Sequence, residues 1–112
     1  MDLSAHLEGR DVMILELHLD HLDAGNVREF KERAPALLQD HARVVVDLSG
    51  VSFIDSSGLG ALISLLRTVH GRGGELRLCA MSRTVRALFE LMRMHRVFVI
   101  DDTRDDAVRA FA

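Results

Sequence analysis

Residues 43–66 read RVVVDLSGVSFIDSSGLGALISLL, and two periodicities meet inside them. Arg43 to Ser49 carries Val44, Val45 and Val46 in succession, apolar toward both faces, which suits a strand covered on both sides in a parallel arrangement. From Leu59 the spacing changes, and Leu59, Leu62, Ile63, Leu66 and Val69 fall on one face of a helix. The helix runs to HGRGG, residues 70–74, where glycines suit a C-terminal cap. A strand that passes through a glycine-containing junction into a helix is half of a parallel α/β unit.

Upstream, Leu3, Ala5 and Leu7 alternate with polar residues, EGRD (8–11) offers a turn, and Met13, Leu15, Leu17 and Leu19 alternate again. That pattern predicts an opening β-hairpin. Asp23 then stands as a candidate N-cap for a helix carrying Val27, Phe30, Ala34, Leu37 and Leu38, with Pro35 expected to bend or break it. Downstream, ELRLCA (75–80) reads as a strand. Val85, Leu88, Phe89 and Met92 mark a helix with Ser82 as N-cap, RVFVI (96–100) is a last strand, and Asp102 opens a closing helix. The alternation predicts one α/β domain over residues 1–112. Its mixed sheet has about five strands, an antiparallel hairpin first, then parallel strands joined by right-handed crossovers, with about four helices.

Composition narrows the function classes. With 48 % apolar and 28 % charged residues, the chain has the balance of a soluble globular domain and not of a disordered one. The longest apolar stretch, Leu59 to Leu66, is interrupted by Gly60 and Ser64 and is too short for membrane insertion. The start MDLSAHLEGRD lacks the basic-then-apolar form of a signal peptide, so a cytoplasmic location is expected. Cys79, the one cysteine, lies in an apolar strand and is expected to be a buried, inert thiol. Charge is uneven: 11 acids against 5 bases up to Asp55, 2 against 7 from Ser56 to Arg96, and 4 against 2 beyond. The basic middle spreads its arginines singly, without stacking aromatics, which argues against nucleic acid and for a solvated face or an acidic protein partner.

The junction DSSGLG, residues 55–60, holds the candidate chemistry. A serine-hydrolase elbow needs a glycine two residues before its serine, and here Ile54 and Asp55 occupy those places. His70, at the far end of the same helix, would lie about 20 Å away at ~1.5 Å per residue, too far to act as base. No phosphate-binding Gly-x-x-x-x-Gly-Lys-Ser/Thr is present, and His18 and His21 match no metal-ligand spacing, so neither cofactor nor metal is expected. Two readings stay open together. Asp or Ser can cap the helix, and a serine at the first turn can carry a phosphate, whose oxygens meet free backbone N–H groups and the favourable end of the helix dipole.

The stretch VVVDLSGVSFIDSSGLGALISLLRTVHGRGGELRLCAMSRTVRALFELM (44–92) resembles the STAS domain, and most closely its stand-alone bacterial form, the anti-sigma factor antagonist. The resemblance implies that Ser57, the serine just before the first glycine, is phosphorylated by a partner anti-sigma factor, a serine-protein kinase of the histidine-kinase-like ATPase type. The unphosphorylated form would bind that kinase, and a PP2C-type phosphatase would reset the cycle. It also places Asp23, Asp55, Ser56, Gly58, Leu59 and Gly60 at or near the partner surface. Asp20 and Arg93 stand where the family usually has glycine. The other readings are a fixed STAS subunit of a lipid-transport or sensory complex, without a phosphorylation cycle, and a nucleotide-binding module.

Overall fold

In the computed structural model, which describes residues 1–111, β1 (Leu3–Glu8) pairs antiparallel with β2 (Val12–Leu17), Leu3 opposite Leu17 and Glu8 opposite Val12. The chain continues as β3 (His21–Leu22), α1 (Val27–Leu38), β4 (Arg43–Asp47), β5 (Phe53–Ile54), α2 (Ser56–Gly71) and β6 (Glu75–Cys79). It ends with α3 (Arg83–Leu91), β7 (Val99–Asp101) and α4 (Arg104–Ala110). The main sheet has five strands in the order β1-β2-β4-β6-β7, and every pair after the hairpin is parallel. This is the expected mixed α/β architecture, with the hairpin and four helices in place.

The strand run with valines facing both ways meets two cores. Val44 and Val46 join Leu15, Phe30, Leu62, Leu66, Val85 and Phe89 under α1, α2 and α3. Val45 turns to the opposite face, with Val12, Ile14, Cys79 and Ala107 under α4. Gly73, at φ +80°, follows the end of α2 as the glycine run predicts, and Ser82 caps α3 by accepting from the Val85 N–H at 3.2 Å.

Several local expectations are corrected. The residue before α1 is Asn26, not Asp23; the Asp23 carbonyl accepts from the N–H groups of Asn26 and Val27, so a turn intervenes. Pro35 neither breaks nor ends α1, which continues to Leu38 because Phe30, Ala34 and Leu38 are buried on one face. The last strand begins only at Val99: Met94–Arg96 form a 3-10 turn that drops Phe98 into the core against Phe89, ring centroids 5.9 Å apart. The closing helix starts at Arg104, capped by Thr103. Arg93 adopts φ +58°, a left-handed backbone that explains why glycine suits its position.

Candidate functional site

The junction is organised by a pairing that periodicity does not reveal. After β4, residues 53–54 leave the main sheet and pair in parallel with β3, His21 beside Phe53 and Leu22 beside Ile54. This short ladder draws the segment after β2 alongside the start of α2. Asp20 secures the approach: its carbonyl accepts from the Ser52 N–H at 2.7 Å and from the Ser52 hydroxyl at 3.1 Å, and its carboxylate accepts from the same hydroxyl. Asp20 has no left-handed backbone, so its position does not require glycine, and its side chain holds Ser52.

Asp55 is the N-cap of α2. One carboxylate oxygen accepts from the Gly58 N–H at 2.8 Å and the other from the Ala24 N–H at 3.1 Å, across to the turn after β3. The Gly58 N–H holds the carboxyl below its ordinary range; partial desolvation opposes this, and the Ala24 and Ser57 N–H groups add to the lowering. With the cap made by Asp55, neither hydroxyl is needed for it. Ser56, the first helical residue, is exposed; Ser57, the second, is half-buried.

The two glycines divide the labour. A Cβ on Gly58 would sit 2.2 Å from the Leu22 carbonyl oxygen, so this glycine lets α2 press on β3. A Cβ on Gly60 would meet nothing within 4 Å. Leu59 is 4 % exposed and belongs to the main core. Gly58 and Leu59, expected at or near a partner surface, are both buried by the fold's own packing. Ser56 and Gly60 are exposed, and Asp23 and Asp55 are partly so. Asp23 sits in a tight turn, its N–H donating to the Asn26 side-chain oxygen at 3.0 Å and its carboxylate accepting from the Gly25 N–H at 2.9 Å.

An open apolar groove of about 300 Å³ adjoins the helix start, between Phe53 of β5 and Thr84, Ala87, Leu88 and Leu91 of α3. Those α3 residues stand at i, i+3, i+4 and i+7, a second stripe beside the core-facing Val85 and Phe89. Phe53 is 52 % exposed and Leu91 80 %. Sequence reasoning missed this surface, because it forms only where β5 and α3, distant in the chain, lie side by side.

Across the sheet, the Arg104 guanidinium donates to Asp47 at 2.9 Å, Glu8 at 2.9 Å and Glu16 at 3.3 Å, tying α4 to three strands. The Cys79 thiol is pushed up to about 12, first by burial, and is chemically inert there. Among the described residues, no His/Cys/Asp/Glu group could hold a metal ion, and no helix is long and apolar enough to cross a membrane.

Residues 7–107 match the STAS domain. The anti-sigma F factor antagonist of Paenibacillus polymyxa is 30 % identical over 112 residues, covering 96 % of this chain and 94 % of that protein. The fold matches an anti-sigma-factor antagonist domain protein from Planctomyces limnophilus with TM-score 0.86 at 22 % identity, over 98 % of this chain and 97 % of that one. It also matches the Bacillus cell fate determinant SpoIIAA in its phosphorylated form, with TM-score 0.70 at 20 % identity, over 99 % and 100 % of the two chains.

Proposed function

The chain belongs to the STAS domain family, and on that premise we propose that it is an anti-sigma factor antagonist in a partner-switching pathway, with Ser57 as its phosphate acceptor. It works as a binding protein and not as an enzyme, a single domain acting in the cytoplasm. Unphosphorylated, it sequesters an anti-sigma factor that is also a serine-protein kinase of the histidine-kinase-like ATPase type. In the transfer the Ser57 oxygen loses its proton, takes the γ-phosphoryl group of ATP, and ADP leaves. A PP2C-type phosphatase hydrolyses the ester to restore the hydroxyl.

The observation that carries this reading is a helix start already capped by Asp55, with both serines spared from capping beside an exposed apolar groove. A phosphate at the second helical position lies beside the backbone N–H groups of the first turn and the positive end of the helix dipole, so the fold survives it. A partner lying over Gly60 and the Phe53–Leu91 groove meets a new charge of about −1.5 to −2 and is driven off. The exposed apolar groove is what a protein-binding face requires.

The test uses the kinase recovered from the native cell. Incubation with ATP followed by mass spectrometry should place phosphate on Ser57, and phosphate on another residue removes the assignment. Ser57→Ala should stay folded and bind constitutively, while Ser57→Asp should stay folded and lose the kinase. Unfolding of either variant would give Ser57 a structural task instead.

A further inference from the structure

We infer that Asp55 is a positioning residue that couples the phosphorylation state of Ser57 to the turn carrying Asp23. The inference rests on Ser57 being the acceptor and concerns what the phosphate does to the surface around it.

The carboxylate of Asp55 bridges two pieces of chain: Gly58 N–H, in the first turn of α2, at 2.8 Å, and Ala24 N–H, in the turn before α1, at 3.1 Å. The turn is otherwise held by bonds of its own. Asp23 accepts from the Gly25 N–H, Asn26 accepts from the Asp23 N–H, and the Asn26 side-chain amide donates to the His21 carbonyl at 2.8 Å. Below it, the Asp55 N–H reaches the Leu22 carbonyl at 3.3 Å, at the base of the turn. The bond from Ala24 to Asp55 therefore ties the tip of the turn to the helix start, and it is longer than the bond that caps the helix.

A phosphate on Ser57, two residues from Asp55 in the chain, is a second anion at the same helix end. It seeks the same backbone donors, and it repels the carboxylate that now holds them. The facing segment brings no compensating Lys or Arg: its ionisable groups are Asp20, His21 and Asp23, with His21 3.6 Å from the Asp23 carboxylate. Of the two Asp55 contacts, the one to Ala24 is longer and crosses to an exposed turn, so it gives way first. Phosphorylation then both adds charge at Ser57 and unfastens the Asp23 turn, and a partner that reads both loses its surface in two places at once.

The test needs no kinase. Phosphoserine is installed at position 57 by genetic encoding or by ligation of a synthetic segment, and the Ala24 amide is followed by NMR during acid titration. In the unmodified protein the Ala24 amide should titrate with Asp55, with a midpoint below the ordinary Asp range. Phosphoserine at 57 should abolish that step and shift the amide toward its position in Asp55→Asn, and phosphoserine combined with Asp55→Asn should cause no further shift at Ala24. An Ala24 titration that persists unchanged in the phosphorylated chain overturns the coupling. Because the phosphate is installed directly, that outcome is independent of whether a kinase uses Ser57, which the mass-spectrometric experiment decides on its own.

Discussion

The two glycines of GLG, residues 58–60, should respond to alanine with opposite signs. At Gly58 the added methyl would sit 2.2 Å from the Leu22 carbonyl oxygen, 2.9 Å from its carbon and 3.0 Å from Ile54 Cγ2. Two of those atoms are backbone in β3, held by the ladder to β5, so no side-chain rotation relieves the clash. Relief requires α2 to move off β3, at the expense of the Asp55–Leu22 hydrogen bond. Overpacking costs about 1–3 kcal/mol and a lost hydrogen bond about 1 kcal/mol, against a gain in helix propensity of about 1 kcal/mol, which leaves Gly58→Ala about 2 kcal/mol less stable. At Gly60 the methyl enters open space on an exposed helix face, so only the backbone terms act and Gly60→Ala gains about 0.5–1 kcal/mol. The chain lacks Trp and Tyr, so urea and thermal unfolding are both best followed by far-UV circular dichroism. The two variants should bracket the wild type with melting temperatures about 10 °C apart, at about 4 °C per kcal/mol for a domain of this size. Gly58→Ala as stable as wild type would refute the close-approach argument, and a destabilised Gly60→Ala would refute the open-space argument. On the proposed function, Gly60→Ala should also bind the kinase more weakly despite its added stability, which would separate a glycine facing a partner from one kept for the fold.

Three further outcomes are expected. Arg93→Gly should raise stability by about 1 kcal/mol in the same urea assay, because the left-handed backbone at φ +58° no longer carries a side chain. Arg104→Met should lower it by about 2 kcal/mol, since Asp47, with its side chain 5 % exposed, loses its cationic partner while the other two carboxylates are partly solvated; equal stability would show that the α4 tether is not energetically coupled to the sheet. Asp55 is held below its ordinary range, so the folded state releases this proton more readily than the unfolded chain. Its contribution is present in full above the ordinary Asp range and is lost as pH falls through the depressed value. Acid unfolding of Asp55→Asn should lack that component, and identical acid limbs for variant and wild type would contradict it.

The legible part of the fold was the part with long, uninterrupted periodicity. Val44 to Val46 and the face from Leu59 to Val69 declared a buried strand and a helix because many residues repeat one spacing. Ser82 and Gly73 were legible because capping chemistry is local. Pro35 misled because its local penalty is outweighed by burial of Phe30, Ala34 and Leu38 along the same face. Phe98 misled because a residue in a β-branched run can follow a 3-10 turn and stay out of the strand when its ring packs on Phe89.

By itself the sequence determined the architecture, the glycine-punctuated junction with its two serines, and the acid beside them, since each follows from residue type and near-neighbour spacing. Only the tertiary structure decided which atoms meet there. The two-residue ladder between β3 and β5 is too short to leave a periodic trace, yet it sets Ala24 against Asp55 and the Leu22 carbonyl against Gly58. The groove between Phe53 and Leu91 likewise depends on segments distant in the chain packing together, and nothing in the local chain records that contact.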